Sequence, residues 1–157
     1  MEQRTNAYDK GNKGIKALFG LGACVSKSTI EQSLQDLISF RVSQMNGCAF
    51  CLDMHSKDLR AHGESEQRLY LLDAWRETPF YSDRERAALA WAEVVTKLPN
   101  NSVPDDIYKQ AREQFSEEEL IDLTLAVITI NAYNRLNIAF HTPAGNYVPG
   151  QFASTLN

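Results

Sequence analysis

The chain has 157 residues, 43% of them hydrophobic, with a formal net charge of −4. That length suits one domain with a sizeable core, expected over 1–157 with its centre at about 30–140, and the acidic balance with no Lys/Arg-rich run argues against nucleic acid as a partner. The polar start Met1-Glu2-Gln3-Arg4-Thr5-Asn6 lacks the apolar core of a signal peptide, and no stretch approaches the roughly 18 apolar residues of a membrane span, so the expectation is a cytoplasmic protein with no membrane partner.

Apolar residues recur at helical spacing, as in Leu34, Leu37, Ile38, Val42 and Met45, and nothing alternates at period two. The pattern predicts an all-α fold with helices at about 8–24, 29–46, 48–62, 66–76, 83–97, 104–114 and 117–140. Ser28/Glu31, Ser82/Glu85 and Ser116/Glu119 have the spacing of reciprocal helix caps, and Pro104 before Asp105 and Asp106 suits a first helical position. Asn46-Gly47, Gly63 and Leu98-Pro99-Asn100-Asn101 are stop signals. The last helix is apolar on most of its circumference, which predicts burial on nearly all sides and sharing with a second subunit. Tyr147, Val148 and Phe152 in the tail from Pro143 to Asn157 suggest that it docks on a neighbour.

Chemistry concentrates in Cys48-Ala49-Phe50-Cys51-Leu52-Asp53-Met54-His55. At about 100° per residue, Cys51 lies about 60° from Cys48 and His55 about 40° from Cys51, so two thiols and an imidazole share one stripe of a helix. A thiol attacks as its thiolate, and an imidazole one turn away can take the proton. Cys51 is therefore read as the His55-activated nucleophile and Cys48, about 10 Å from the imidazole, as the resolving thiol; the reverse order stays open. Folding at Asn46-Gly47 places Asp36 opposite Asp58 and within about one turn of His55, either to orient or recharge the imidazole or as an ordinary solvated acid.

Zinc is the rival at this site, but His62, His141 and Cys24 do not form a second ligand pair, so no metal is expected. Two buried structural cysteines with a capping histidine are a further reading. Cys24 itself reads as a small buried hydrophobe, and His62 as a cap in the last turn before Gly63. Trp75, Phe80, Tyr81 and Trp91 read as core or interface aromatics, since no glycine-rich phosphate loop accompanies them, and no cofactor is expected. Asn131, Asn134, Arg135 and Asn137 must find partners if buried in so apolar a helix, and Arg135 is a candidate for a subunit interface or for the mouth of the thiol pocket.

The stretch Phe40-Arg41-Val42-Ser43-Gln44-Met45-Asn46-Gly47 followed by the cysteine motif resembles the carboxymuconolactone decarboxylase superfamily, and within it the AhpD-like alkylhydroperoxidases. The likeness continues through Glu66-Gln67-Arg68-Leu69-Tyr70, Ala74 to Phe80, Arg84 to Trp91 and Ile130-Asn131-Ala132-Tyr133-Asn134-Arg135-Leu136. It implies an all-helical fold, trimers or hexamers, and thiol-dependent reduction of a peroxide or disulfide substrate, with an external dithiol or redox protein as reductant. The family pattern E-x11-C-x2-C-x3-H falls on Asp36, Cys48, Cys51 and His55, with Asp36 one methylene shorter than the family glutamate. Phe50 stands where members of the group can carry histidine, which leaves a leaner proton relay. A lyase that decarboxylates a small cyclic acid, and a redox-sensing oligomer without turnover, are the alternatives.

Overall fold

The computed structural model describes residues 2–152, which form helices and turns with no strand among them, as an all-α fold requires. Met1 and residues 153–157, the ends of the polar start and of the docking tail, lie outside the described residues. Asn6 opens α1 (Ala7–Lys10), its side chain accepting from the Tyr8 and Asp9 amides. Gly11 then separates α1 from α2 (Asn12–Ser26), so the helix expected over 8–24 is two. A Cβ at Gly11 would overlap Ile15 and approach the Ala7 carbonyl to 2.6 Å, so this junction closes only around glycine.

The central helix α3 (Gln32–Asn46) lacks the cap expected from Ser28 and Glu31. Arg84 draws the Glu31 carboxylate away, with Nε 3.0 Å from Oε1 and Nη2 3.1 Å from Oε2, and Ser28 is used locally by Ile30 and Gln35. Gly47, with φ at 68°, closes α3 and turns the chain into α4 (Ala49–Ala61). Ser65 caps α5 (Glu66–Leu71), which tightens into a 3-10 segment over Leu72–Glu77 broken at Ala74, where one helix over 66–76 was expected. The Arg86 guanidinium takes the carbonyls of Trp75, Arg76 and Thr78 and so competes with continued helix.

The reciprocal caps Ser82/Glu85 and Ser116/Glu119 form as expected and open α6 (Asp83–Lys97) and α8 (Glu117–Phe140). Between them lies α7 (Asp105–Gln114), for which Pro104 is the cap residue rather than the first helical one. α3 packs against α4, α6 and α8 at once. Leu37, Ile38 and Val42 of α3, Leu89 of α6 and Leu123 and Val127 of α8 are fully enclosed in that core. Trp75, Tyr81 and Trp91 are core residues, whereas Phe80 is exposed.

The expectation about the tail is corrected, and α8 keeps an open face in one chain. Ile121, Ile128 and Ile138 are exposed, so one chain does not bury α8 on nearly all sides. The tail from 143 to 152 docks on α4 of its own chain: Lys57 donates to the Gly145 and Tyr147 carbonyls, and the Tyr147 hydroxyl donates to Asp58 at 2.9 Å. One charged cluster is set into the α3/α6 contact. Arg41 Nε donates to Glu93 Oε1 at 2.7 Å, its Nη1 reaches Gln44 and Asp73, and Trp75 and Arg76 also donate to Glu93.

Candidate active site

The turn before the cysteines is fixed by amides from α8. Asn46 Nδ2 donates to Asn131 Oδ1 at 3.0 Å and to Asn134 Oδ1 at 2.9 Å, and Asn134 Nδ2 donates to Ser43 Oγ at 3.0 Å. The Cys48 amide donates to the Ser43 carbonyl at 3.1 Å, which sets Cys48 as the residue that caps α4. Its sulfur accepts from the Cys51 amide at 3.4 Å. The helix start thus aims both sulfurs at one another, and Cys48 and Cys51 form a disulfide with Cα atoms 5.4 Å apart.

Both cysteines are buried, at 1% and 0% exposure. Asn137 of α8 donates its Nδ2 to Cys51 Sγ at 3.4 Å, and its Oδ1 accepts from the Tyr8 hydroxyl at 3.0 Å. Asn137 stood out in sequence as a polar group needing a partner, but nothing tied it to sulfur. Tyr8 gave no signal at all, being 43 residues from the thiol it reaches through Asn137.

His55, one turn beyond Cys51, is half-buried, and its Nε2 is enclosed with no hydrogen-bond partner among the described residues. Burial alone lowers its pKa to about 4, so the imidazole is neutral at pH 7. Asp36 makes no direct hydrogen bond to His55. Its carboxylate accepts from Gln32 Nε2 at 2.8 Å and faces His62 Nδ1 at 3.4 Å. Burial raises the Asp36 pKa; Gln32 and His62 oppose that rise, and Asp58 adds to it. Asp36 and His62 line a cleft of about 410 Å³ with Gln32, Ser33, Leu59 and Glu64.

His62 stands at the cap position of α4, but it closes the helix with its backbone N–H, and its imidazole turns to Asp36 instead of the helix end. Cys24 is exposed on α2, which corrects its reading as a buried hydrophobe: α2 presents to solvent the face that carries it. Arg135 donates to the backbone and side chain of Asn131, at 3.0 and 2.7 Å, and so supports the amide cluster behind the turn. Phe50 is half-buried beneath the tail, its ring centroid 6.5 Å from that of Phe152. Among the described residues no group of three or more His, Cys, Asp or Glu is arranged to hold a metal ion, and no helix is long and apolar enough to cross a membrane.

Comparison with known proteins fits this architecture. The chain is 44% identical over 146 residues to the uncharacterized protein YdfG of Bacillus subtilis (strain 168), covering 93% of this chain and 99% of that protein. A crystal structure of a protein of unknown function from Agrobacterium tumefaciens, a candidate AhpD antioxidant-defence protein, is 38% identical and superposes with a TM-score of 0.88, covering 93% of this chain and all of that one. The debrominase Bmp8 has the same fold at 23% identity, with a TM-score of 0.73 over 89% of this chain and 73% of its own. The pattern of the Carboxymuconolactone decarboxylase family matches residues 16–94, half of the chain, and with these relatives it places the protein in that family, with an AhpD-like fold.

Proposed function

We propose that the protein is a thiol-dependent oxidoreductase that reduces a peroxide or a disulfide through Cys48 and Cys51, with His55 as proton acceptor. The observation that carries this reading is the disulfide at the start of α4, one turn from an imidazole nitrogen that has no hydrogen-bond partner among the described residues. In the reduced state the neutral His55 takes the Cys51 proton. The thiolate attacks one peroxide oxygen, an S–O bond forms as the O–O bond breaks, and the leaving alkoxide takes the proton back as an alcohol. Cys48 then attacks the sulfenic sulfur, water leaves, and the disulfide closes. An external dithiol, free or on a redox protein, restores both thiols and is itself oxidised to a disulfide. A disulfide substrate enters the same cycle at the first attack, with a mixed disulfide in place of the sulfenic acid.

Asp36 is assigned to recharge the imidazole through solvent, from the cleft it shares with His62. A reducing compartment such as the cytoplasm suits a pair that must be reset after each turn. Exposed Ile121 and Ile128, seven residues apart on one face of α8, support assembly with further copies of the chain into a trimer or hexamer.

Rapid mixing of reduced protein with an alkyl hydroperoxide tests the chemistry. Cys51→Ser should abolish the reaction, and Cys48→Ser should allow one round and accumulate a sulfenic acid on Cys51. Sustained peroxide consumption with a dithiol supply separates an enzyme from a sensor, which would react once and stop. Wild-type kinetics in Cys51→Ser with the sulfenate on Cys48 would reverse the order, and activity that survives loss of both thiols would point to the lyase.

A further inference from the structure

Among the described residues, Asn137 is the one side chain outside α4 that hydrogen-bonds a sulfur of the pair. It is 4% exposed, so its amide is held by these contacts and not by water. The amide's orientation follows from its partners. A disulfide sulfur has no hydrogen to give, and the Tyr8 hydroxyl has one, so Oδ1 turns to Tyr8 and the Nδ2 hydrogens to Cys51. Burial raises the Tyr8 pKa against the opposing pull of Asn137, which keeps the phenol a donor.

Tyr8 is in turn fixed where Asn137 needs it. Its ring stacks on Phe19 with centroids 6.0 Å apart, and Asn6 caps the short helix that carries it. Arg4 clamps the same segment to the end of α8, its amide donating to the Phe140 carbonyl at 3.1 Å and its guanidinium to the Ala139 carbonyl at 3.1 Å. The N-terminal segment thereby reaches the reacting sulfur through one amide.

We infer that Asn137 is a catalytic residue whose side-chain N–H stabilises the Cys51 thiolate, with Tyr8 as the positioning residue that holds the amide in its donating orientation. This rests on the proposed thiol chemistry, in which Cys51 must ionise. Cys48 already has a fixed donor in the Cys51 backbone amide, and Asn137 supplies the counterpart for the second sulfur. A hydrogen bond to an ionised acceptor is roughly twice as strong as one between neutral groups, so this contact strengthens when the disulfide is reduced and the thiolate forms. Of the titratable groups, Cys48 is bonded to Cys51, His55 stands one turn on along α4, and Tyr8 of α1 reaches it through Asn137. Asp36 and Arg41 of α3 and Arg135 of α8 are engaged elsewhere, with His62, with Glu93 and with Asn131.

The test is a thiolate titration by ultraviolet absorbance on reduced full-length protein carrying Cys24→Ser and Cys48→Ser, so that Cys51 alone is read. Asn137→Ala should raise the Cys51 pKa by about one unit, a tenfold loss of thiolate below the pKa. Tyr8→Phe, which keeps the ring stack, should raise it by a smaller amount, about two- to threefold in thiolate. The matching titration of Cys48 in a Cys24→Ser, Cys51→Ser protein should not move with either substitution. If Asn137→Ala does not fold, Tyr8→Phe alone decides. A Cys51 curve unmoved by the variants that fold overturns the assignment, as does an equal shift of Cys48, which would mark general loosening of the site. Peroxide takes no part in the titration, so a wild-type protein that consumes none would sink the proposed function and leave this measurement to stand or fall separately.

Discussion

Asn46 donates to Asn134 Oδ1 at 2.9 Å, and through that contact the residue two before Cys48 is tied to the middle of α8. Asn134 is fully buried and also donates to Ser43, so its removal takes one of two acceptors from the Asn46 amide and the donor from the Ser43 hydroxyl, and leaves a small void. Asn134→Ala should lower stability by about 1–3 kcal/mol, combining the lost buried hydrogen bonds with a cavity. Urea unfolding measures it, and a loss under about 0.5 kcal/mol would show that the cluster does not organise the turn.

The Arg41–Glu93 pair should respond more sharply to loss of charge than to loss of volume. Burial alone would raise the Glu93 pKa, but hydrogen bonds from Trp75, Arg76 and Arg41 outweigh it and hold the carboxyl below the usual range. Glu93→Gln keeps the shape yet deprives the buried guanidinium of the more buried of its two carboxylate partners, with Asp73 remaining, for an expected loss of about 1–3 kcal/mol at pH 7. Because the Glu93 pKa is depressed in the folded state, that difference should shrink as pH falls below the ordinary glutamate value, and a pH-independent difference would contradict it.

His55 predicts an acid slope of its own. The unfolded chain binds this proton at about pH 6.5 and the folded protein only near 4, so His55 favours folding above pH 6.5 and that contribution is lost as pH falls toward 4. The loss should be at most about 3 kcal/mol. Asp36, whose pKa is raised, works in the opposite sense, contributing at low pH and losing that contribution as pH rises. Urea melts from pH 7 to pH 4 should show a shallower decline in His55→Leu than in the parent. Parallel curves would mean that the ring takes up its proton without strain.

Thiol accessibility gives a fourth measurable contrast. In the oxidised protein iodoacetamide should label Cys24 alone, since Cys48 and Cys51 are paired. After reduction and denaturation it should label all three. Labelling of Cys48 or Cys51 without reductant, or a bridge from Cys24 to either, would remove the assigned pair.

Local signals made much of this fold legible. The Ser82/Glu85 and Ser116/Glu119 boxes act within four residues, and Gly47 is required by a left-handed turn, so each could be read where it stands. The failures share a cause at longer range. Ser28/Glu31 has the same spacing as the other boxes, yet Arg84, 53 residues on, claims the glutamate; the helix after Ser65 tightens because Arg86 takes its carbonyls. At the site, the one-turn spacing of Cys51 and His55 on α4 follows from helical periodicity, whereas Cys48, expected on the same stripe, is the extended residue that caps the helix. Nor does the partner of Asp36 follow from periodicity: the hairpin argument brought it near α4 but could not foresee that the exposed His62, one residue past the helix end, would swing back to meet it.

The enclosure of the disulfide has a kinetic corollary. Thiol exchange needs an attacking sulfur in line with the S–S bond, and at 1% and 0% exposure neither Cys48 nor Cys51 offers that approach to a thiol in bulk solvent. Reduction must wait for a local opening of the structure packed around the pair. The rate of reduction by a small dithiol should therefore level off as its concentration rises, at a ceiling set by the opening step. In a cell, such gating would insulate the pair from the general thiol pool and leave its resetting to a reductant able to engage the opened form.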